Sequence, residues 1–267
     1  MRIHRGGACV VPGMRALSLV SACVLASAVQ ATDGTFTGYA RSLTDGKLLY
    51  VESHAVQGAG TPDEKRIVLY QCAGDAAPFA RKELVYSSRT APAFRFEDAR
   101  SGYAEGLSRD ARGLTVSERA GHDARPRSEI LEVDGTIVAD AGFDEFVRAR
   151  WDKLERGVPS NVPFLVPTRL DSVPFRVRKI GEAEIDGATV SVIRLSLAGP
   201  LGWFVPDIEV SYRKSDRRLL RYRGLTNIRD ADGRLIEAQI DFPDTARSVG
   251  PVDLTRLSSL ALVDHCR

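Results

Sequence analysis

The sequence lacks long apolar runs beyond its first thirty-one residues, and it lacks the short motifs of several enzyme classes. A membrane helix needs about 20 consecutive apolar residues, so we expect a protein that does not span the membrane. The patterns GxSxG, HExxH and GxGxxG and the P-loop are also missing. Their absence argues against the hydrolases, zinc proteases, dinucleotide-binding enzymes and nucleotidases that use them.

The N-terminus has the pattern of an export signal. Arg2, Arg5 and Arg15 precede the apolar run ALSLVSACVLASAV, and small residues surround Ala31. This arrangement is typical of a secretory signal peptide. We therefore predict a signal peptide over residues 1–31, cleavage near Ala31, and a mature protein of residues 32–267 in the periplasm.

Two details of this N-terminus stay open. Translation could begin at Met1 or at Met14, because Arg15 follows Met14 directly and would still supply the basic start of a signal. A rival interpretation places a lipid on Cys23, where VSAC resembles a lipidation box. The apolar run before Cys23 is short, which favours the cleaved signal.

Removal of the signal also changes the charge balance. The full sequence has 37 basic and 35 acidic residues, and the signal holds three of the basic ones and no acid. The mature chain therefore has 34 basic against 35 acidic residues, interleaved along its length. No basic excess remains to attract nucleic acid, so we expect no nucleic-acid partner.

Cysteine is scarce in the mature chain, which keeps Cys72 and Cys266. An even count in an exported protein predicts one disulfide, with two free thiols as the alternative. Neither residue belongs to a CxxC pair, which argues against thiol redox chemistry. Three histidines remain without metal-ligand spacing, so we expect no metal site and no cofactor.

The strands are indicated by alternation and by turn residues. Residues 208–213 and 236–242 alternate apolar and polar side chains, which predicts antiparallel strands with one buried face. Asp-Gly pairs, a strong hairpin signal, occur at Asp33, Asp45, Asp134, Asp186 and Asp232. A change of apolar phase in ATVSVIRLSLA predicts a β-bulge near Val192. We predict one sheet of about ten strands or more, which should curl.

The segment GFDEFVRARWDKLERG, residues 142–157, predicts the one amphipathic helix. Acidic residues come first, basic residues come last, and Gly157 is placed to cap the C-terminus. The apolar side chains recur at helical spacing on one face: Phe143, Phe146, Val147, Trp151 and Leu154. We expect this helix to cover the concave face of the sheet, either as simple core packing or as the roof of an incompletely filled cavity.

Other candidate site residues come from two short segments. In GPLGWFVPD, Trp203 and Phe204 form an unusually apolar loop, which indicates a cavity rim, packing against Trp151 or a partner surface. In LYVESHAV, Glu52 and His54 share one strand face, and a carboxylate orients an imidazole in general-base catalysis. Leu49, Val51 and Ala55 on the opposite face resemble a core, which favours a solvated surface for the pair. Charged residues near other strand ends are expected in surface ion pairs: Lys82, Glu97, Asp98 and Arg100.

The segment DIEVSYRKSDRRLLRYRGLTNIRDADGRLIEAQIDF resembles the closing hairpins of the outer-membrane lipoprotein carriers, the LolA/LolB-like half-barrels of the Gram-negative envelope. The segments DAGFDEFVRARWDKL and FLVPTRLDSVPFRV are similar to an uncharacterised proteobacterial exported family. The resemblance implies a mainly β fold: a single large curved antiparallel sheet, or half-barrel, covered on its concave face by one central amphipathic helix. Because the carriers bind acyl chains in the hollow, it also implies an apolar ligand here. This chain differs from the carriers in length and in its charged first half.

Three functions are consistent with these patterns. The first is a non-catalytic periplasmic protein that holds a lipid or acyl chain between sheet and helix. The second is an enzyme that uses Glu52 and His54 in the hollow. The third is a structural or interaction role with an envelope protein, through edge strands or the loop around Trp203. We expect binding rather than catalysis, because no catalytic motif is present.

Overall fold

The chain is mainly β-structure, and the predicted fold class is confirmed. The computed structural model describes residues 32–133, 135–199 and 206–266. Within these ranges, fifteen strands form one antiparallel sheet with one central α-helix and one short helix near the C-terminus. The predicted signal peptide lies outside the described residues.

The sheet consists of two meanders, in which each strand pairs with the next along the chain. The first meander contains β1 (Gly34–Ser42), β2 (Leu48–Gln57), β3 (Lys65–Cys72), β4 (Pro78–Val85), β5 (Ala93–Asp98), β6 (Tyr103–Asp110), β7 (Gly113–Arg119) and β8 (Arg127–Leu131). The second contains β9 (Ser160–Val166), β10 (Asp171–Ile185), β11 (Ala188–Leu197), β12 (Ile208–Arg213), β13 (Leu219–Arg229) and β14 (Leu235–Asp241). The short strand β15 (Arg247–Val249) pairs with β1.

The two meanders are joined where β1 pairs with β14, which leaves β8 and β9 at opposite ends of the strand order. The chain connects these ends through helix α1 (Gly142–Glu155). Just before the helix, the N–H of Val138 donates to the carbonyl of Pro163 at 2.9 Å, and the Val138 carbonyl accepts from the N–H of Leu165 at 2.8 Å. The connection thus pairs with β9 in a short parallel bridge at Val138.

Helix α1 begins and ends close to the predicted residues. A Cβ atom at Gly142 would lie 2.0 Å from the carbonyl oxygen of Thr90, so only glycine lets the helix start approach the loop after β4. At the other end Gly157 has a φ of 76°, and its N–H donates to the carbonyl of Leu154 at 2.9 Å. This is the glycine cap that the sequence predicts.

Three of the five Asp-Gly pairs lie in hairpin turns, as predicted. These pairs begin at Asp45, Asp186 and Asp232. Between β10 and β11, Asp186 and Gly187 have φ values of 49° and 74°. Two successive positive φ values form the two-residue turn whose twist matches antiparallel strands. The pair at residues 33–34 begins β1 instead, and the pair at residues 134–135 includes a residue outside the described ranges.

The predicted bulge in β11 lies instead on the partner strand β10. The register shifts between Lys179 and Gly181, so that Ile180 is the extra residue opposite Val192 and its neighbour. The change of apolar phase within β11 has another cause. Val190, with Ile185 and other residues, forms a small apolar cluster separate from the helix-covered core, so both faces of β11 carry apolar side chains.

A disulfide between Cys72 and Cys266 ties the C-terminus to the end of β3, in agreement with the sequence. The segment before Cys266 contains the short helix α2 (Leu254–Ser258) and lies against β4. The guanidinium of Arg81 donates to the carbonyl of Leu260 at 3.0 Å, and the N–H of Val263 donates to the carbonyl of Pro78 at 2.9 Å. The tail is therefore held by hydrogen bonds as well as by the covalent bond.

Among the described residues, no helix has the length and apolarity to cross a membrane.

Candidate functional site

A large cavity lies between the concave face of the sheet and the first half of α1. Its volume is about 1,900 Å³, which exceeds the roughly 300–1,000 Å³ of typical small-molecule pockets. Both meanders line it, together with Asp140, Phe143 and Arg148 from the start of the helix segment. The helix therefore covers part of the concave face and leaves the rest open.

One wall of the cavity is apolar and comes from the second meander. Its side chains point inward from β9 to β13: Phe164, Phe175, Leu195, Leu197, Ile208, Val210 and Leu219. Phe164 contacts Phe143 and Phe175 edge to face, with ring centroids 6.3 and 5.6 Å apart. Ile240 and Phe242 extend this wall towards β1.

The other wall, here called the polar wall, comes from the first meander and carries several titratable side chains among apolar ones such as Leu84 and Phe94. Lys82 on β4 donates a short hydrogen bond to Asp140, and Tyr103 on β6 donates to Glu105 at 2.6 Å. Glu52 and His54 on β2 also lie on this wall. The cavity is thus two-sided, which suits a molecule with an apolar part and a polar part.

Glu52 and His54 face the cavity, and the expectation of a solvated strand surface is wrong. Glu52 is only 7% exposed, and its Oε2 lies 3.0 Å from Nε2 of His54. The imidazole stacks on Phe36 with ring centroids 4.3 Å apart. On the opposite face Leu49 and Val51 are only half-buried. Alternation alone misassigns the faces here, because the concave face of this sheet carries polar side chains.

Burial sets the protonation of His54. It lowers the pKa of the imidazole despite the adjacent Glu52 carboxylate, so the ring is neutral at pH 7. When Nε2 carries the proton and donates to Glu52, Nδ1 is left as an acceptor. Among the described residues, Nδ1 has no hydrogen-bond partner. The pair therefore has the polarity of a base and its orienting carboxylate, without a third side chain bonded to it.

The sequence analysis is also wrong about Lys82 and Asp98, which it places in surface ion pairs. Lys82 is 7% exposed and lines the cavity, and Asp98 is 2% exposed and pairs with Arg100 at 2.7 Å. The expected surface ion pairs are therefore buried in these two cases. The position of Lys82 could have been predicted from the strand period. Ala80, Lys82 and Leu84 occupy every second position, which places all three on the buried face of β4.

The apolar face of α1 is divided between cavity and core. Phe143 lines the cavity. The other four predicted lining residues lie in a core cluster with residues of β9 to β12: Phe146, Val147, Trp151 and Leu154. The reason is geometric, because a helix that packs directly on a sheet fills the space beneath it. The cavity continues beside the helix, where its polar residues Asp144, Glu145 and Arg148 face inward.

Trp203 and Phe204 lie outside the residues that the structure describes. The described chain resumes at Pro206, which lines the cavity. In the same described part of the chain, no group of three or more His, Cys, Asp or Glu side chains could hold a metal ion.

Glu105 can be used to test how strongly the polar wall excludes water. Burial raises the pKa of Glu105, although the hydroxyl of Tyr103 and the charge of Lys82 oppose the shift. A carboxyl whose folded pKa is raised stabilises the fold below its ordinary pKa and loses that contribution as pH rises through the folded value. At neutral pH the ionised form therefore costs stability.

We expect Glu105→Gln to raise Tm at pH 7, because the amide removes the cost of an ionised carboxylate in this buried position. The gain should disappear at pH 4, because Glu105 is then protonated in the folded protein. Thermal unfolding at both pH values measures the difference. Glu237→Gln, at an exposed position of β14, is the control and should leave Tm unchanged; an equal gain at both pH values for Glu105→Gln would contradict the assignment.

No family model matches the chain, and no curated protein matches it significantly. Several solved structures are similar to the chain at low sequence identity. A β-barrel-like protein of the domain of unknown function DUF1849 from Brucella abortus is 9% identical with a TM-score of 0.48, and the match covers 81% of this chain and 100% of that one.

Two further structures match less closely. A domain named as a candidate outer membrane lipoprotein-sorting protein, from Vibrio parahaemolyticus, is 8% identical with a TM-score of 0.29 and coverage of 80% and 84%. A DUF1329 family protein from Desulfovibrio piger is 10% identical with a TM-score of 0.26 and coverage of 81% and 86%. One of these two is named for lipoprotein sorting, the class that the sequence resembles.

Proposed function

We propose that this protein is an exported, non-catalytic binding protein that holds an apolar chain, such as the acyl chain of a lipid, in the cavity. The observation that carries the proposal is the apolar wall of the second meander, which faces open space beside α1. Apolar surface exposed to water is unfavourable by about 25 cal/mol per Å². A chain that covers the wall removes this surface from water and gains that free energy.

The polar wall favours a ligand that has a polar group at one end and an apolar chain at the other. Burying polar groups against a hydrocarbon without compensating hydrogen bonds costs several kcal/mol. A purely apolar ligand would therefore occupy the second-meander side, and a polar group attached to it would face Lys82, Glu105 and their neighbours. A cleaved signal, which the sequence predicts, and the Cys72–Cys266 disulfide would both suit a periplasmic site of action.

Native mass spectrometry of protein purified from the periplasm tests the proposal. We expect a mass above that of the mature chain, with the excess released by organic extraction and identified as a lipid or fatty acid. The same measurement on protein expressed with its signal removed gives the background of non-specific adducts. A clean mature mass from both preparations, together with no uptake of added lipid, would end the proposal.

A charge on the apolar wall should abolish uptake. Phe175→Glu places a carboxylate beside Phe164 in the cavity, and desolvating it under a bound chain should weaken binding by at least tenfold. Ile180→Glu on the same strand is the matched control, since Ile180 is 36% exposed and does not line the cavity. Titration with a fluorescent fatty acid measures both. Equal affinities of the two variants would show that the chain binds elsewhere.

Catalysis by Glu52 and His54 is a second candidate, favoured by their inward orientation and their 3.0 Å contact. A hydroxyl or water of the ligand would have to reach Nδ1 of His54, which could then accept its proton. Incubation of the protein with an envelope lipid extract, followed by mass spectrometry of the lipids, tests this. Product that forms with the natural protein and not with Glu52→Gln would support catalysis, and an unchanged lipid profile would exclude it for those lipids.

A further inference from the structure

One arginine that lines the cavity has neither an ion-pair partner nor a hydrogen-bond partner for its side chain among the described residues. Arg247 on β15 lines the cavity and is half-buried. Its guanidinium lies over the ring of Phe36, 4.5 Å from the centroid. Among the described residues it makes no ion pair, and its buried Nε has no hydrogen-bond partner. A cation withdrawn from water in this way normally has an anion beside it.

The other cavity-lining arginines are engaged or exposed. Four of them pair with carboxylates: Arg66, Arg89, Arg148 and Arg218. Arg229 donates to the carbonyl of Gly233 at 2.8 Å. Arg169 is exposed to solvent. Arg229 also has a buried Nε without a partner, but within the described ranges Arg247 is the half-buried cavity arginine for which neither a hydrogen-bond partner nor an ion-pair partner is found.

The two carboxylates whose charges act on Arg247 are already shared by two other arginines. Asp216 and Asp244 each pair with both Arg213 and Arg218, which closes a network of two acids and two bases. Burial and the charge of Arg218 lower the pKa of Arg247 to about 10, so the group is still charged at neutral pH. The cluster as a whole has one positive charge in excess.

An apolar path leads from this cation into the cavity. Phe36 has Arg247 over its ring and the imidazole of His54 stacked 4.3 Å away, and it meets Phe242 edge to face with centroids 6.1 Å apart. Phe242 and Ile240 lead on to the apolar wall of the second meander. A guanidinium at the end of an apolar path matches a molecule with a negative head and a hydrocarbon chain.

We propose that Arg247 binds the anionic oxygens, carboxylate or phosphate, at the head of the amphiphile whose chain fills the cavity. This inference rests on the proposed function and adds the chemistry of the head group. A guanidinium presents paired N–H donors that match two oxygens of a carboxylate or phosphate. The bound anion would supply the partner that Arg247 lacks within the described chain.

Displacement of the neutral probe N-phenylnaphthylamine by three ten-carbon compounds tests the head group. We expect decanoate and decyl phosphate to displace the probe at about tenfold lower concentration than decanol, since hydrogen bonds to charged groups are stronger than neutral ones. Arg247→Gln should remove this preference and leave decanol unchanged. Arg247→Lys should retain part of it. Arg178→Gln, at an exposed β10 position that does not line the cavity, should behave as the natural protein does.

The outcomes separate the inference from the function on which it rests. A preference for decanoate alone would identify a free fatty acid, and one for decyl phosphate alone a phospholipid head; both support the inference. Equal displacement by all three compounds, or an anion preference that survives Arg247→Gln in a folded protein, would overturn the head-group site and leave apolar binding intact. If the protein takes up neither the probe nor any of the three compounds, the proposed function itself fails.

Discussion

Trp151→Ala is expected to lower the free energy of unfolding by about 3–5 kcal/mol and to leave ligand binding intact. The indole is 6% exposed and packs between α1 and the second meander, with its ring centroid 6.3 Å from that of Tyr212. Removing a buried aromatic side chain loses its transfer free energy and leaves a void that the neighbours fill only in part. Trp151 does not line the cavity, so the binding surface should survive.

Urea unfolding and fatty-acid titration at low temperature measure the two effects separately. Trp151→Phe is the matched control, because it keeps a ring in the core and should lose much less stability. Phe175→Glu should give the opposite result, with weak binding and a smaller loss of stability. If Trp151→Ala remained folded but lost binding, the separation between the helix core and the cavity would be incorrect.

Loss of the disulfide is expected to destabilise the protein by about 2–5 kcal/mol. The bond closes a loop with a sequence separation of 194 residues, and long loops restrict the unfolded chain most in the chain-entropy account. The C-terminal tail should detach first, because Leu260 and Val263 hold it through single hydrogen bonds to the β4 region.

Thermal unfolding of the double variant Cys72→Ser, Cys266→Ser measures this loss. The natural protein with excess reductant should approach the variant, whereas the variant itself should not respond to reductant. Hydrogen exchange should show the largest increase in residues 254–266. Equal stability of the oxidised protein and the variant would mean that the tail is held by its packing alone.

Local patterns in the sequence predict most of the fold. Helix α1 is visible from the spacing of Phe143, Val147 and Trp151, and the hairpin at Asp186 from its turn chemistry. The disulfide follows from the even number of mature cysteines. These features depend on neighbours along the chain, or on a count, and need no knowledge of the tertiary arrangement.

The site could be predicted only in part, because it depends on how a long sheet curls. The sequence identifies Glu52 and His54 as a pair but not the face on which they lie, since both faces of β2 carry plausible core residues. It identifies the apolar face of α1 but not which end of that face meets open space. Arg247 has no local signal at all, because its isolation depends on pairings made by Arg213 and Arg218.

The junction at Val138 has a mechanical consequence. On its outer edge β9 pairs with the segment that follows β8 through the two hydrogen bonds of Val138, whereas interior strands are bonded along both sides. Arg127 on β8 also donates to the carbonyl of Thr168, just after β9, at 3.3 Å. Each such bond contributes about 0.5–1.5 kcal/mol net, so this pairing should open more readily than the longer strand pairings within either meander.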